Sequence, residues 1–164
     1  MRTPARIARH PIHPMLVTVP VGLWVFSFLC DLVFVFTKSP AWSTTAYFAL
    51  GGGVIGATIA AVPGLVDGFF LRKSPIFRTV LLHMALNLFA TLVFVMSFLS
   101  RSIEAPFSWS LMLSAVGLVP LAIAGWLGGE LVFVQGLGVE PQAEGRHGWP
   151  VSHQQQPSDV RRMA

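Results

Sequence analysis

The sequence predicts an all-α fold, a polytopic membrane four-helix bundle with both termini in the cytoplasm, and three observations carry that prediction. Hydrophobic residues make up 54% of the 164-residue chain and charged residues only 11%, with a mean hydropathy of +0.67. A soluble globular domain carries about 25% charged residues. The few charges fall in clusters that cut the chain into four apolar stretches, each near the ~20 residues needed to cross a hydrocarbon core. Those clusters are dense and sparse in alternation, as a chain threading a bilayer back and forth requires.

Arg2, Arg6 and Arg9 precede an apolar run that carries no Lys, Arg or acid from His10 to Cys30 and continues past Asp31 to Thr37. It outlasts a signal-peptide core, no small-residue cleavage site closes it, and Phe28-Leu29 before Cys30 is no lipoprotein box. It therefore reads as a retained first helix. Spans are predicted at residues 14–36, 44–70, 77–100 and 109–134, within one domain covering 1–139. The connections Lys38-Ser39-Pro40-Ala41, Arg72-Lys73-Ser74-Pro75 and Arg101 to Phe107 supply Pro and Ser as helix stops. Residues 140–164 are polar, rich in Pro, Gly and Gln, and lack apolar periodicity; a disordered tail is expected, with His147 and His153 solvated.

Nine of the basic residues belong to the N-terminal segment, the middle connection and the tail: Arg2, Arg6, Arg9, Arg72, Lys73, Arg78, Arg146, Arg161 and Arg162. Only Lys38 and Arg101 belong to the other two connections. The positive-inside rule then puts both termini and the middle connection in the cytoplasm. Topology thus accounts for the basic pI without a nucleic-acid partner, and the partner implied is the lipid bilayer. A single cysteine, Cys30, excludes an intramolecular disulfide.

Ionisable residues inside a span are costly, about 2.5–3.5 kcal/mol at a helix centre, and mark cavities or partners. The candidates are Asp31, Asp67, His83 and Glu130, with Asn87 and Trp126 as neutral companions. His83 lies two turns into the third span, roughly 9 Å along the helix. Just before the first span comes His10-Pro11-Ile12-His13-Pro14-Met15. Its prolines are expected to hold His10 and His13 in extended backbone, because residues before Pro avoid the helical region. A shift of 70 residues lays His13 on His83, Val25 on Val95 and Ser27-Phe28-Leu29 on Ser97-Phe98-Leu99. Pro63-Gly64-Leu65-Val66-Asp67 falls more loosely beside Gly125-Trp126-Leu127-Gly128-Gly129-Glu130. Two like-oriented hairpins about a pseudo-twofold axis would gather His13, His83, Asp67 and Glu130 at the cytoplasmic side. Gly52/Gly56 and Gly125/Gly129 have GxxxG spacing, suited first to packing within the chain and second to an oligomer interface.

The opening HPIHPMLVTVPVGLW with Asp31, PGLVD at Pro63–Asp67, HMALN at His83–Asn87 and GWLGGELVFVQGLGV at Gly125–Val139 resemble an uncharacterised bacterial family. That family is catalogued as a domain of unknown function, a four-helix predicted membrane protein. The resemblance covers about residues 8–139. It implies a multi-pass protein of the bacterial cytoplasmic (inner) membrane and, since some members are joined to Rieske-type iron–sulfur domains, a redox setting with a redox partner protein. The chain departs from the pattern at Gln135, where many relatives have His, which implies a reduced ligand set.

Three functions remain open on the residues. The first is a metal or haem site with a redox role: His13 and His83 as cofactor ligands, and His10, His13, Asp67, His83 and Glu130 as the wider metal-binding set. The second is a proton- or ion-conducting transport subunit that uses Asp31, Asp67, His83 and Glu130 as a relay. The third is an accessory or scaffold protein whose polar groups fix helix register. No phosphate loop, nucleophile elbow or HExxH points to a soluble-type enzyme. Asp31, alone on the far side, is expected to serve helix packing or an outer opening.

Overall fold

The computed structural model describes residues 4–8, 10–103 and 105–139, and structural statements refer to these. The expected disordered tail, with His147 and His153, lies outside them. A two-residue antiparallel pair, β1 (Arg6–Ile7) with β2 (His10–Pro11), leads into a short helix α1 (Ile12–Leu16) and then α2 (Thr18–Thr37). There follow α3 (Pro40–Phe70) with a 3₁₀ turn at Leu71–Lys73, α4 (Phe77–Ser102), and α5 (Phe107–Gly129) with a π turn at Glu130–Val134. Four helical stretches are long and apolar enough to cross a membrane: Ile12–Thr37, Pro40–Lys73, Phe77–Ser102 and Phe107–Val134. Each exceeds the ~20 residues a span requires. Large apolar side chains such as Phe48, Ile55, Leu88, Leu92 and Val119 point outward, as a lipid-facing surface demands.

The extended backbone expected at His13 is not found. Ile12, His13 and Pro14 form the first turn of α1, while His10 is extended in β2. Pro14 is tolerated there because first-turn N–H groups have no helical partner to lose, and this overrides the pre-proline preference.

Helices α2 and α3 pack densely as one hairpin, α4 and α5 as another, and contacts between the hairpins are sparser. Positions 70 residues apart meet across the seam. His13 and His83 lie with ring centroids 6.3 Å apart, Trp24 stacks on Phe94 at 4.2 Å, and Asp31 pairs with Arg101. The second helices of the hairpins correspond at an offset of 64. Ser27 donates to the Ala46 carbonyl, and Ser97 donates to the Ser110 carbonyl. Gly53 lies against Trp24 as Gly117 lies against Phe94. These are two like-oriented hairpins about a pseudo-twofold axis. The offset of 64 pairs Asp67 with Leu131, not with Glu130 as the looser sequence alignment had it. Apolar helices align by residue type at several offsets; only their contacts fix one.

Lipid tails are as apolar as leucine, so close packing and polar contacts must hold such helices together. Trp24, Leu50, Ala90, Phe94 and Leu121 form the central cluster. A Cβ on Gly53 would stand 2.4 Å from the Trp24 Nε1. Gly53→Ala is therefore expected to lower stability by about 1–3 kcal/mol through overpacking. Gly22→Ala, with nothing within 4 Å, is the matched control; equal thermal unfolding of the two variants in detergent would contradict this packing. Gly52 and Gly56 face Leu23 and Pro20 of α2, so that GxxxG face is used within the chain, whereas Gly125 meets nothing within 4 Å.

Candidate functional site

His13 comes from the first turn of α1 and His83 from the second turn of α4, and both are partly buried. The His13 Nδ1 lies 2.8 Å from the Ala60 carbonyl oxygen of α3. The His83 Nδ1 lies 2.9 Å from the Ala124 carbonyl oxygen of α5. A carbonyl only accepts, so each Nδ1 carries a proton, and in the neutral tautomer the lone pair is on Nε2.

These carbonyls are already engaged in helices, and a second donor reaches them only if the side chain one turn on is absent. In a helix, residues i and i+4 share a face. The residue four on from Ala60 is Gly64, and four on from Ala124 is Gly128. A Cβ on Gly64 would lie 2.8 Å from the His13 Nδ1, and one on Gly128 3.1 Å from the His83 Cε1. The Ala-x-x-x-Gly pairs are thus cradles for the two imidazoles, one in each hairpin. The rings stand nearly perpendicular, at 89°. Asn87, one turn beyond His83, donates to the His83 carbonyl at 2.8 Å and also lies 3.2 Å from its Nε2.

The other predicted site residues have different partners. Asp67, 8% exposed, accepts a hydrogen bond from the Ala5 backbone N–H at 2.9 Å and so ties the N-terminal segment to α3. His10 is exposed, with its Nδ1 2.9 Å from the Ala8 carbonyl oxygen. Glu130 begins the π turn, where its carbonyl accepts from the Gln135 N–H at 3.0 Å. Trp126 is 79% exposed on the outer face of α5. Gln135 caps the π turn, and its Oε1 is buried without a partner. Among the described residues, no three His, Cys, Asp or Glu side chains converge in a group that could hold a metal ion. A groove of about 520 Å³ runs beside α3 and α4, bordered by Gly68, Arg72, Leu81 and Met84, and neither imidazole lines it.

At the opposite end of the bundle, Asp31 is fully buried and takes both terminal nitrogens of Arg101, at 2.9 and 2.5 Å. It belongs to neither the His pair nor its cradles. Sequence reasoning treated Arg101 as a connection residue and missed this partnership. The shift of 70 that lays His13 on His83 also lays Asp31 on Arg101 and Trp24 on Phe94, and was the available signal. The residue types at Ala60, Gly64, Ala124 and Gly128 do not distinguish a cradle for an imidazole from ordinary close helix packing.

The four apolar spans, the outward hydrophobic faces and the internal polar pairs define a polytopic integral membrane protein. More particularly, the chain belongs to the family of predicted membrane proteins described as DUF2231, whose model matches residues 9–141. Comparison with curated proteins and with solved structures returns no match.

Proposed function

We propose that this membrane protein holds a redox-active haem between His13 and His83. The observation that carries the proposal is the pair of imidazoles, each oriented through Nδ1 by an equivalent backbone carbonyl, which leaves Nε2 as the ligating atom; at His83 the Asn87 amide, 3.2 Å from Nε2, gives up that contact when a ligand binds. Ligating histidines are commonly fixed in this way through their other ring nitrogen. The number of ligands favours haem over a bare ion. A structural zinc requires four protein ligands and a catalytic zinc three, whereas haem iron brings four equatorial nitrogens and asks the protein for two. The ring centroids lie 6.3 Å apart, so His13 and His83 are the residues that would hold the group, and one-electron transfer is the chemistry it would supply there. His10, Asp67 and Glu130 then serve the surroundings of the site, Asp67 by anchoring the segment that leads to His13.

The test is an absorption spectrum of the protein purified in mild detergent, oxidised and reduced, with metal quantified, and repeated after incubation with haemin. A Soret band that shifts on reduction supports the proposal, and a colourless preparation that takes up no haemin would sink it. In that event the second reading stands. Each Nδ1 bond already joins two helices, which suits a scaffold whose histidines fix register. No arrangement among the described residues links Asp31 to His83, so the relay reading has less behind it.

The positive-inside pattern supports a bacterial inner-membrane orientation with the His pair near the cytoplasmic face, where a soluble redox partner would approach it. In a Cys30→Ser background, Ser39→Cys is expected to react with a membrane-impermeant maleimide added to intact spheroplasts, and Ser74→Cys only after lysis. The reverse pattern would invert the topology.

A further inference from the structure

Arg101, the partner of Asp31, borders a cavity of about 410 Å³ that is also lined by Ser43, Thr44, Tyr47, Phe107 and Ser110. Arg101 is nine-tenths buried (9% exposed), and each terminal nitrogen gives one N–H to Asp31 and keeps a second. Its Nε–H is buried and has no partner. An unmet buried donor of this kind is costly, and the cost is recovered when an acceptor arrives. Asp31 neutralises the guanidinium, so the site offers the remaining guanidinium N–H donors without net charge. A phosphate or carboxylate would find no uncompensated cation there. A neutral carbonyl oxygen would find a donor, with the Ser43 and Thr44 hydroxyls alongside and the rings of Tyr47 and Phe107 to cover an apolar body.

We propose that this cavity binds a neutral amphiphile through a carbonyl oxygen, which the Arg101 guanidinium recognises. The chemistry fits both a quinone head group and the acyl ester of a lipid. The site is separate from the His pair, since His83 and Arg101 lie 18 residues apart on α4, about 27 Å by helix rise.

The experiment is calorimetric titration of the detergent-purified protein with three probes: ubiquinone-1, dihexanoylglycerol and hexyl phosphate. Saturable binding of either neutral probe is expected, weakened at least tenfold in two variants. Arg101→Lys keeps a cation beside Asp31 but lacks the Nε donor. Ser43→Leu fills the cavity and leaves the ion pair intact, so it decides the matter should Arg101→Lys fail to fold. Preference for ubiquinone-1 assigns the site to quinones, and preference for dihexanoylglycerol to lipid esters. Tighter binding of hexyl phosphate, no saturable binding of either neutral probe, or unchanged affinity in Ser43→Leu would each overturn the proposal.

Discussion

Arg101→Ala is expected to destabilise the bundle by about 3–5 kcal/mol, the largest effect of any single substitution considered, because it leaves the Asp31 carboxylate buried without its counter-charge. Asp31 is fully buried and Arg101 nearly so, so neither charge reaches water when its partner is lost. Removing both charges together is a different matter, since a buried ion pair is often replaced by packed apolar residues at little cost. Asp31→Leu combined with Arg101→Met should therefore recover most of the stability lost by Arg101→Ala alone. The measurement is thermal unfolding in detergent, analysed as a double-mutant cycle. A double variant no more stable than the Arg101→Ala single would show that the pair contributes through geometry and not through charge compensation.

The second large effect concerns the His pair. His13→Ala and His83→Ala should each abolish the proposed haem spectrum while leaving the thermal transition largely in place, since each removes only one partly buried hydrogen bond, worth about 0.5–1.5 kcal/mol. The cradle glycines give a graded version of the same test. Gly64→Ala brings a methyl within 2.8 Å of the His13 Nδ1, the atom that donates to Ala60. Gly128→Ala brings one no nearer than 3.1 Å to His83, and to a ring carbon. Gly64→Ala should lower haem occupancy more than Gly128→Ala. Full occupancy in both would mean that the Nδ1 bonds do not orient the ligands.

The spans could be read from sequence because membrane helices advertise themselves through twenty or more uninterrupted apolar residues, a signal that survives any packing arrangement. His83 stood out for the same reason, as a polar residue inside such a run. Partnership was harder to read. Asp31 looked solitary because Arg101 lies 70 positions away at the edge of a connection, where a basic residue has an ordinary topological explanation. Asp67 and Glu130 looked equivalent because each is an acid near the end of a small-residue helix, yet Asp67 bonds the N-terminal segment while Glu130 starts a π turn. The glycines carried a double meaning. The residue that lets two helices approach is the same residue that bares a carbonyl to an imidazole, and only coordinates distinguish the two uses.

The three pairs on the central axis also bear on why both hairpins belong to one polypeptide. If a single hairpin associated with a copy of itself about a twofold axis, every axial level would bring a residue face to face with its own duplicate. Histidine against histidine satisfies that condition, and an aromatic against an aromatic nearly does. Aspartate against arginine does not: a symmetric assembly would set acid against acid or base against base in a medium that tolerates neither. Covalent linkage lets the two halves differ where opposite character is needed, as at the Asp31–Arg101 level, while the His13–His83 level is symmetric in residue type.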